Sequence, residues 1–134
     1  MMYNDPDIKR HSPGNIILGV ILITIGVVVL FVITVTLIDD KCYNDATTWL
    51  PVYPNATVTS VTFDYFRAWG LGETVMELSS PDDRITVNTW YANTMEEIGK
   101  QYSSRGLADT DVQIRNNPNG AGSLIILYSA CANS

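Results

Sequence analysis

The chain has 134 residues, 46% of them hydrophobic and 16% charged, and a formal net charge of −6 at pH 7. Such an acidic chain lacks the basic surface on which nucleic-acid binding depends, so we exclude nucleic acid as a partner. Much of the apolar content lies in one uncharged run near the N-terminus, and the remaining length suffices for one small domain.

The uncharged run covers residues 16–38 and predicts a transmembrane helix. At about 1.5 Å per residue it would reach roughly 34 Å, against a hydrocarbon core of about 30 Å. The run is too long for the apolar part of a secretory signal, and no Ala-x-Ala-like cleavage site follows it. We therefore expect an uncleaved anchor between a tail, residues 1–15, and a polar linker, residues 39–49, with a folded domain over residues 50–134.

The charges at the two ends of this run are unequal. Lys9 and Arg10 precede it with His11, whereas Asp39 and Asp40 follow it. Because positive flanks stay inside, we expect a single-pass protein of the cell membrane with a cytoplasmic N-terminus and an extracytoplasmic domain, either periplasmic or extracellular. No charge lies within the run, so we expect membrane lipids around it and no ion or proton path through it.

Two glycines and three aromatic residues are candidates for contacts at the membrane. Gly19 and Gly26 are seven residues apart and share a helix face, on which other transmembrane subunits of a complex would pack closely. Tyr43, Trp49 and Tyr53 follow the run. They either lie among the lipid headgroups or pack beneath the domain.

The first half of the domain predicts a β-hairpin. Alternation over residues 57–65, with Val61 and Phe63 on one face, is typical of a half-buried strand. A turn at residues 70–72 leads to a second strand over residues 73–78, with Met76 and Leu78 facing inward.

A helix and two more strands are predicted next. Ser80 is the expected cap and Pro81 the first helical residue, and an end is expected at Gly99 or Gly106. The expected inward side chains recur at helical spacing: Ile85, Val87, Tyr91, Met95 and Ile98.

A strand over residues 110–115, with Val112 and Ile114 inward, precedes one over residues 123–130. The latter is apolar on both faces, which favours the sheet interior. The predicted fold class is α+β: a β-β-α-β-β domain in which one helix packs on an antiparallel sheet.

Cys42 and Cys131 are the only two cysteines and lie near opposite ends of the domain. On an oxidising side of the membrane they favour an internal disulfide that closes a long loop. Unpaired thiols, or bonds to a partner, are the alternative.

The residues of common catalytic sites are missing from the domain. Its sequence has no histidine, so we expect no catalytic residue, no metal site and no cofactor. Asp109 and Asp111 could ligate a cation, and Asp64, Glu73 and Glu77 could pair across the hairpin, but both sets are more typical of a solvated face.

One turn is a candidate docking contact. Residues 67–72 include Arg67 and Trp69, and a tryptophan exposed at a turn tip would suit a partner. The nearby Asn55 belongs to an Asn-Ala-Thr sequon, whose use depends on the host.

Two segments, residues 50–56 (LPVYPNA) and 85–91 (ITVNTWY), resemble small bacterial extracytoplasmic domains. Those domains open with a Pro-x-Tyr-Pro-x-Ala stretch and carry an aromatic-Tyr pair on a helix. The resemblance implies an α+β domain tethered in a bacterial membrane, and it implies no activity. Residues 98–102 (IGKQY) depart from the pattern, since the similar domains tend to have Gly-Trp there.

Two functional hypotheses follow. The first is a non-catalytic accessory subunit at the edge of a larger membrane complex, of the respiratory or photosynthetic type. The second is a membrane-tethered module that binds a protein, peptide or glycan.

Overall fold

The structure is a computed structural model that describes residues 13–118 and 120–132. It contains helices α1 (Pro13–Trp49) and α2 (Arg84–Gln101) and strands β1 (Thr57–Phe63), β2 (Gly72–Ser80), β3 (Ala108–Asn116) and β4 (Ser123–Cys131). The strands form one antiparallel sheet in the order β1-β2-β4-β3, so the α+β class is confirmed. The chain divides into two compact units after Thr36.

The described part of the first unit is the apolar part of α1, whose side chains are exposed except for the half-buried Val35. By length and composition, Gly14–Trp49 contains a stretch able to cross a membrane. The threonine hydroxyls in this stretch donate hydrogen bonds to carbonyls four residues earlier, as Thr24 does to Val20 and Thr34 to Leu30. These polar groups are therefore satisfied within the helix, as an apolar environment requires.

Residues 39–49 were predicted to be a polar linker, and that prediction is wrong: they are the last three turns of α1. Neither Gly nor Pro interrupts the helix there, and Lys41 pairs with Asp45 one turn later. Cys42 and Ala46, also one turn apart, are both buried in the core of the second unit. The charged residues after the apolar part of α1 therefore do not end the helix; they mark the point where it enters the second unit.

The core of the second unit lies on one face of the sheet. Every second residue of β2 and β4 is buried, including Met76, Leu78, Ile125 and Leu127. They pack with Val87 and Tyr91 of α2 and with the last turns of α1. The inward positions predicted for Met76 and Leu78 are confirmed. β4 lies in the sheet interior, as its apolar sequence predicted.

β1 is not half-buried as predicted, because all seven of its residues are exposed. It is an edge strand paired only with β2, and a bulge interrupts its register between Val58 and Ser60. An edge strand has a neighbour on one side only, so its side chains lack half of the cover available to interior strands. The alternation is present, with Val61 opposite Met76, but the apolar side is not buried.

α2 begins and ends at other residues than predicted. Its cap is Asp83, whose carboxylate accepts from the backbone N–H groups of Ile85 and Thr86, so neither Ser80 nor Pro81 starts it. These hydrogen bonds, first that from the Thr86 N–H, lower the pKa of Asp83. Ile85, in the first turn of the helix, is exposed, against expectation.

α2 ends at Gln101, with Tyr102 as its C-cap, and neither Gly99 nor Gly106 ends it. Val87 and Tyr91 are buried as predicted, and Val112 and Ile114 of β3 are half-buried against the same core.

Candidate functional site

The turn that was predicted to dock a partner is instead part of the core. Trp69 is only 7% exposed, and its backbone N–H donates to the Thr74 hydroxyl at 3.0 Å. Its φ of 66° is unusual for a bulky residue. Trp69 is therefore not the exposed turn tip on which the docking prediction depended.

Arg67 is engaged by the end of α1. Its Nε lies 2.8 Å from Asp39 Oδ2, and its terminal nitrogen lies 2.5 Å from Asp40 Oδ1. The guanidinium also lies over the Tyr43 ring, 4.5 Å from the centroid. Asp39 accepts a further hydrogen bond from the Leu71 N–H at 2.8 Å. Arg67 thus links two segments of the domain, and its charge is already matched there.

The three aromatic residues proposed for the membrane interface separate into two groups. Trp49 is buried against Tyr102, and the Tyr53 hydroxyl donates to Asp82 at 2.7 Å. Both match the alternative of packing within the domain. Tyr43 remains partly exposed beneath the Arg67 guanidinium.

Cys42 and Cys131 form a disulfide, with their Cα atoms 5.8 Å apart and both residues fully buried. The bond joins the last turns of α1 to the final residue of β4. Within the first unit, a Cβ added at Gly19 or Gly26 would meet no other atom of the described chain within 4 Å. The face that these glycines share is therefore open.

Exposed apolar side chains of the second unit concentrate on β1 and the loop after it. Val58, Val61 and Phe63 of β1 are each 38–45% exposed. Tyr65 and Phe66 of the loop are 58% and 75% exposed. We call residues 57–66 the β1 edge. The sequence analysis missed this surface and chose Trp69, six residues from Phe63. Whether a turn residue is buried depends on contacts with distant parts of the chain, and the local sequence pattern does not reveal those contacts.

The sheet face opposite the core carries most of the carboxylates that the sequence singled out. Glu73 and Glu77 of β2, Asp109 and Asp111 of β3, and Asp64 after β1 alternate with core-facing positions and so share this face. We call it the open face. Its central residues are Val75, Ile126 and Tyr128, all half-buried, and its one basic side chain among the described strands is Arg115.

Contacts on the open face are those of a solvated surface. Asp64 accepts from the backbone N–H of Glu73 at 3.3 Å, and Glu77 accepts from the Ser60 hydroxyl at 3.2 Å. Burial and then the carboxylates of Glu73, Asp109 and Asp64 raise the pKa of Tyr128. The open face thus has an aromatic centre inside an acidic rim.

Within residues 13–118 and 120–132, no group of three or more His, Cys, Asp or Glu side chains is arranged to hold a metal ion. The expected pair Asp109 and Asp111 lies on the open face, where Asp111 accepts from the Gln113 amide at 3.2 Å. An open surface depression of about 390 Å³ lies against Thr59, Glu77 and Leu124.

Comparison with known proteins adds neither a relative nor a structural neighbour. The resemblance to bacterial extracytoplasmic domains therefore stays an expectation. No protein-family model, curated protein or solved structure matches this chain.

Proposed function

We propose that this chain is a single-pass membrane protein that acts by association, as a non-catalytic accessory subunit of a larger membrane complex. The observation that carries the proposal is the apolar part of α1, which is long enough to cross a membrane and is left uncovered by the described residues. Such a surface needs lipid or other apolar helices around it.

The disulfide supports an extracytoplasmic location for the second unit. Disulfides persist in oxidising compartments and are rare in the cytosol. Cys42–Cys131 is fully buried and closes nearly the whole domain, which suits a structural role. Together with the basic flank at Lys9 and Arg10, this favours a cytoplasmic N-terminus.

The open glycine face of α1 supports contact with another helix. Gly19 and Gly26 leave a shallow strip on which a neighbouring helix backbone could approach closely. The strip has no side chain of the described chain against it. An accessory subunit would use it to pack at the edge of its complex.

The test is native separation of detergent-solubilised source membranes, followed by mass identification of what co-migrates. We expect the wild-type chain in one large assembly and the Gly19→Leu/Gly26→Leu variant released from it. Ile21→Leu/Val28→Leu is the matched control, because these residues are also seven apart but lie on the opposite helix face. Migration of the wild type alone, as a 14.8 kDa chain in detergent, would contradict the proposal.

A second candidate, a tethered binding module, is favoured by the open face. Five carboxylates lie on that face, three of which raise the pKa of Tyr128, and the described strands add only one arginine, so a basic extended peptide would be attracted. A lysine-rich peptide should bind the full chain at low salt and bind several-fold more weakly to Glu73→Gln/Asp109→Asn. Glu97→Gln on α2 is the control, and equal binding by all three proteins would dismiss this candidate.

A further inference from the structure

The two edges of the sheet are protected very differently. β3 carries Asp109, Asp111 and Arg115, and charged side chains on an edge discourage pairing with other strands. β1 has the sequence TVTSVTF, without charge, proline or glycine, and every residue is exposed. Only the bulge near Thr59 interrupts it, which leaves a regular stretch from Ser60 onward.

The direction of the free backbone groups on β1 follows from its pairing with β2. The Asp64 N–H donates to the Glu73 carbonyl at 3.2 Å. Hydrogen-bonded pairs alternate along an antiparallel ladder, so Ser60 and Thr62 also direct their backbone groups toward β2. Val61 and Phe63 therefore direct their N–H and C=O groups outward, where no strand of the described chain lies.

We propose that β1 pairs antiparallel with β1 of a second copy of this chain, in a register centred on Thr62. This register places Val61 opposite Phe63 of the second copy, so the outward backbone groups of both residues find partners. It also places Ser60 opposite Asp64 of the second copy, so no two carboxylates face each other. Two four-stranded sheets then join into one sheet of eight strands.

Charge favours a second copy at this edge over contact elsewhere on the domain. The chain carries a net charge of −6, so two copies repel where their acidic surfaces approach, as at the open face. Of the two edge strands, the uncharged β1 is the one at which like-charged copies approach with less repulsion. On the core side of the sheet, the apolar side chains of Val61 and Phe63 would also lie next to those of the second copy across the two-fold axis.

This pairing goes beyond the proposed membrane function and does not depend on it. It concerns the second unit alone, and it is separable from any contact that α1 makes. A dimer held by the helix would survive changes in β1, whereas a dimer held by β1 would not.

A single-cysteine cross-link tests the register in the full chain in mild detergent. The native cysteines are already paired, so Thr62→Cys introduces one free thiol. Non-hydrogen-bonded partners lie about 4.5 Å apart between Cα atoms, within the range that a disulfide spans. Ser60→Cys is the matched control on the same strand and face, because its two copies would lie four residues, or about 13 Å, apart.

We expect Thr62→Cys to give at least tenfold more covalent dimer than Ser60→Cys under mild oxidation. Equal cross-linking of both variants, or none of either, would overturn the proposal.

The mass of the detergent-solubilised particle, measured by light scattering or native mass spectrometry, gives a second readout. We expect wild type to be a dimer of the 14.8 kDa chain, Val61→Lys to be a monomer, and Gln113→Lys, on the other edge, to stay a dimer. A monomeric wild type would overturn the proposal, as would a dimeric Val61→Lys, which would place the contact outside β1. Dissociation by both lysine variants would show that the contact is not specific to β1 and would also overturn the proposal.

Discussion

Tyr91 joins α2 to the segment that enters the sheet. It is 4% exposed, and its hydroxyl donates to the Pro51 carbonyl at 3.0 Å. Burial raises the pKa of Tyr91 to about 12, from an ordinary value of 10.0. Because the unfolded chain releases this proton at a lower pH than the folded chain, the folded state loses stability as the pH rises between these two pKa values.

We expect the stabilising contribution of Tyr91 to be complete below pH 10 and to disappear as the pH rises through about 12. When the ionisation of tyrosine is followed by ultraviolet absorbance, Tyr91→Phe should remove a step near pH 12. It should also lower the free energy of unfolding by about 1–1.5 kcal/mol, because the Pro51 carbonyl loses its donor. Tyr65→Phe, at an exposed position, is the control; an equal effect of the two changes would contradict the assignment.

Gly122 precedes β4 at a point where three segments meet. Its φ is +94°, and a Cβ there would overlap the carbonyl oxygen of Ser80. The Asn117 N–H donates to the Gly122 carbonyl, and the neighbouring Ser123 hydroxyl donates to the carbonyl of Asp82. A side chain at this position would meet fixed backbone, not a flexible neighbour.

Gly122→Ala should therefore destabilise the domain by about 2 kcal/mol or more, from the left-handed φ and the overlap together. Gly120→Ala is the matched control in the same turn, since a Cβ there meets nothing within 4 Å of the described chain. Surface changes of that kind stay within about 0.5 kcal/mol. Equal Tm values for the two variants, measured by thermal unfolding, would contradict the role given to Gly122.

At the scale of the elements, the disulfide links the end of α1 to the end of β4. The sequence separation of its cysteines is 89 residues, so the unfolded chain loses much of its freedom when they are bonded. The chain-entropy relation gives about 4–5 kcal/mol for a loop of this length. For a small domain this is comparable to the whole free energy of unfolding.

We expect the Cys42→Ala/Cys131→Ala variant to lose most of that stability. The measurement is denaturant unfolding of the full chain followed by tryptophan fluorescence, which reports the second unit because Trp49, Trp69 and Trp90 all lie there. Denaturant unfolding of the reduced wild type should have a midpoint similar to that of the double variant. A loss below about 1 kcal/mol would show that the bond does not constrain the unfolded state as proposed.

The elements that the sequence predicted well are those whose pattern reflects burial directly. β4 is apolar on both faces and lies inside the sheet, and Met76 and Leu78 alternate onto the core as expected. β1 alternates equally well and yet is exposed, because alternation does not reveal which strand is an edge. The order of strands depends on contacts distant in sequence.

The same reason explains the errors at the candidate site. Trp69 is in a turn, and turn residues are usually exposed. The nearby Arg67, however, pairs with Asp39 and Asp40, which lie at least 27 residues earlier in the chain. The polarity of residues 39–49 predicts a linker, whereas α1 continues through them because Cys42 and Ala46 pack in the core. The β1 edge could be recognised only once the sheet order was known.

At the scale of the whole molecule, two separate features favour the same orientation. The basic tail residues Lys9 and Arg10 precede the apolar stretch, and the acidic residues follow it. The buried disulfide lies on the acidic side, where an oxidising compartment would maintain it. The sequon at Asn55 is on that side as well.

Orientation can be measured by labelling intact source cells with a membrane-impermeant maleimide. We expect Ala92→Cys, on the exposed side of α2, to be labelled in intact cells, and Asn4→Cys, in the tail, to be labelled only after permeabilisation. Wild type is the control, because both of its cysteines are bonded and should not react. Labelling of Asn4→Cys but not Ala92→Cys in intact cells would indicate the reverse orientation. That result would also place the disulfide in a reducing compartment, where it should not persist, so the two observations constrain each other.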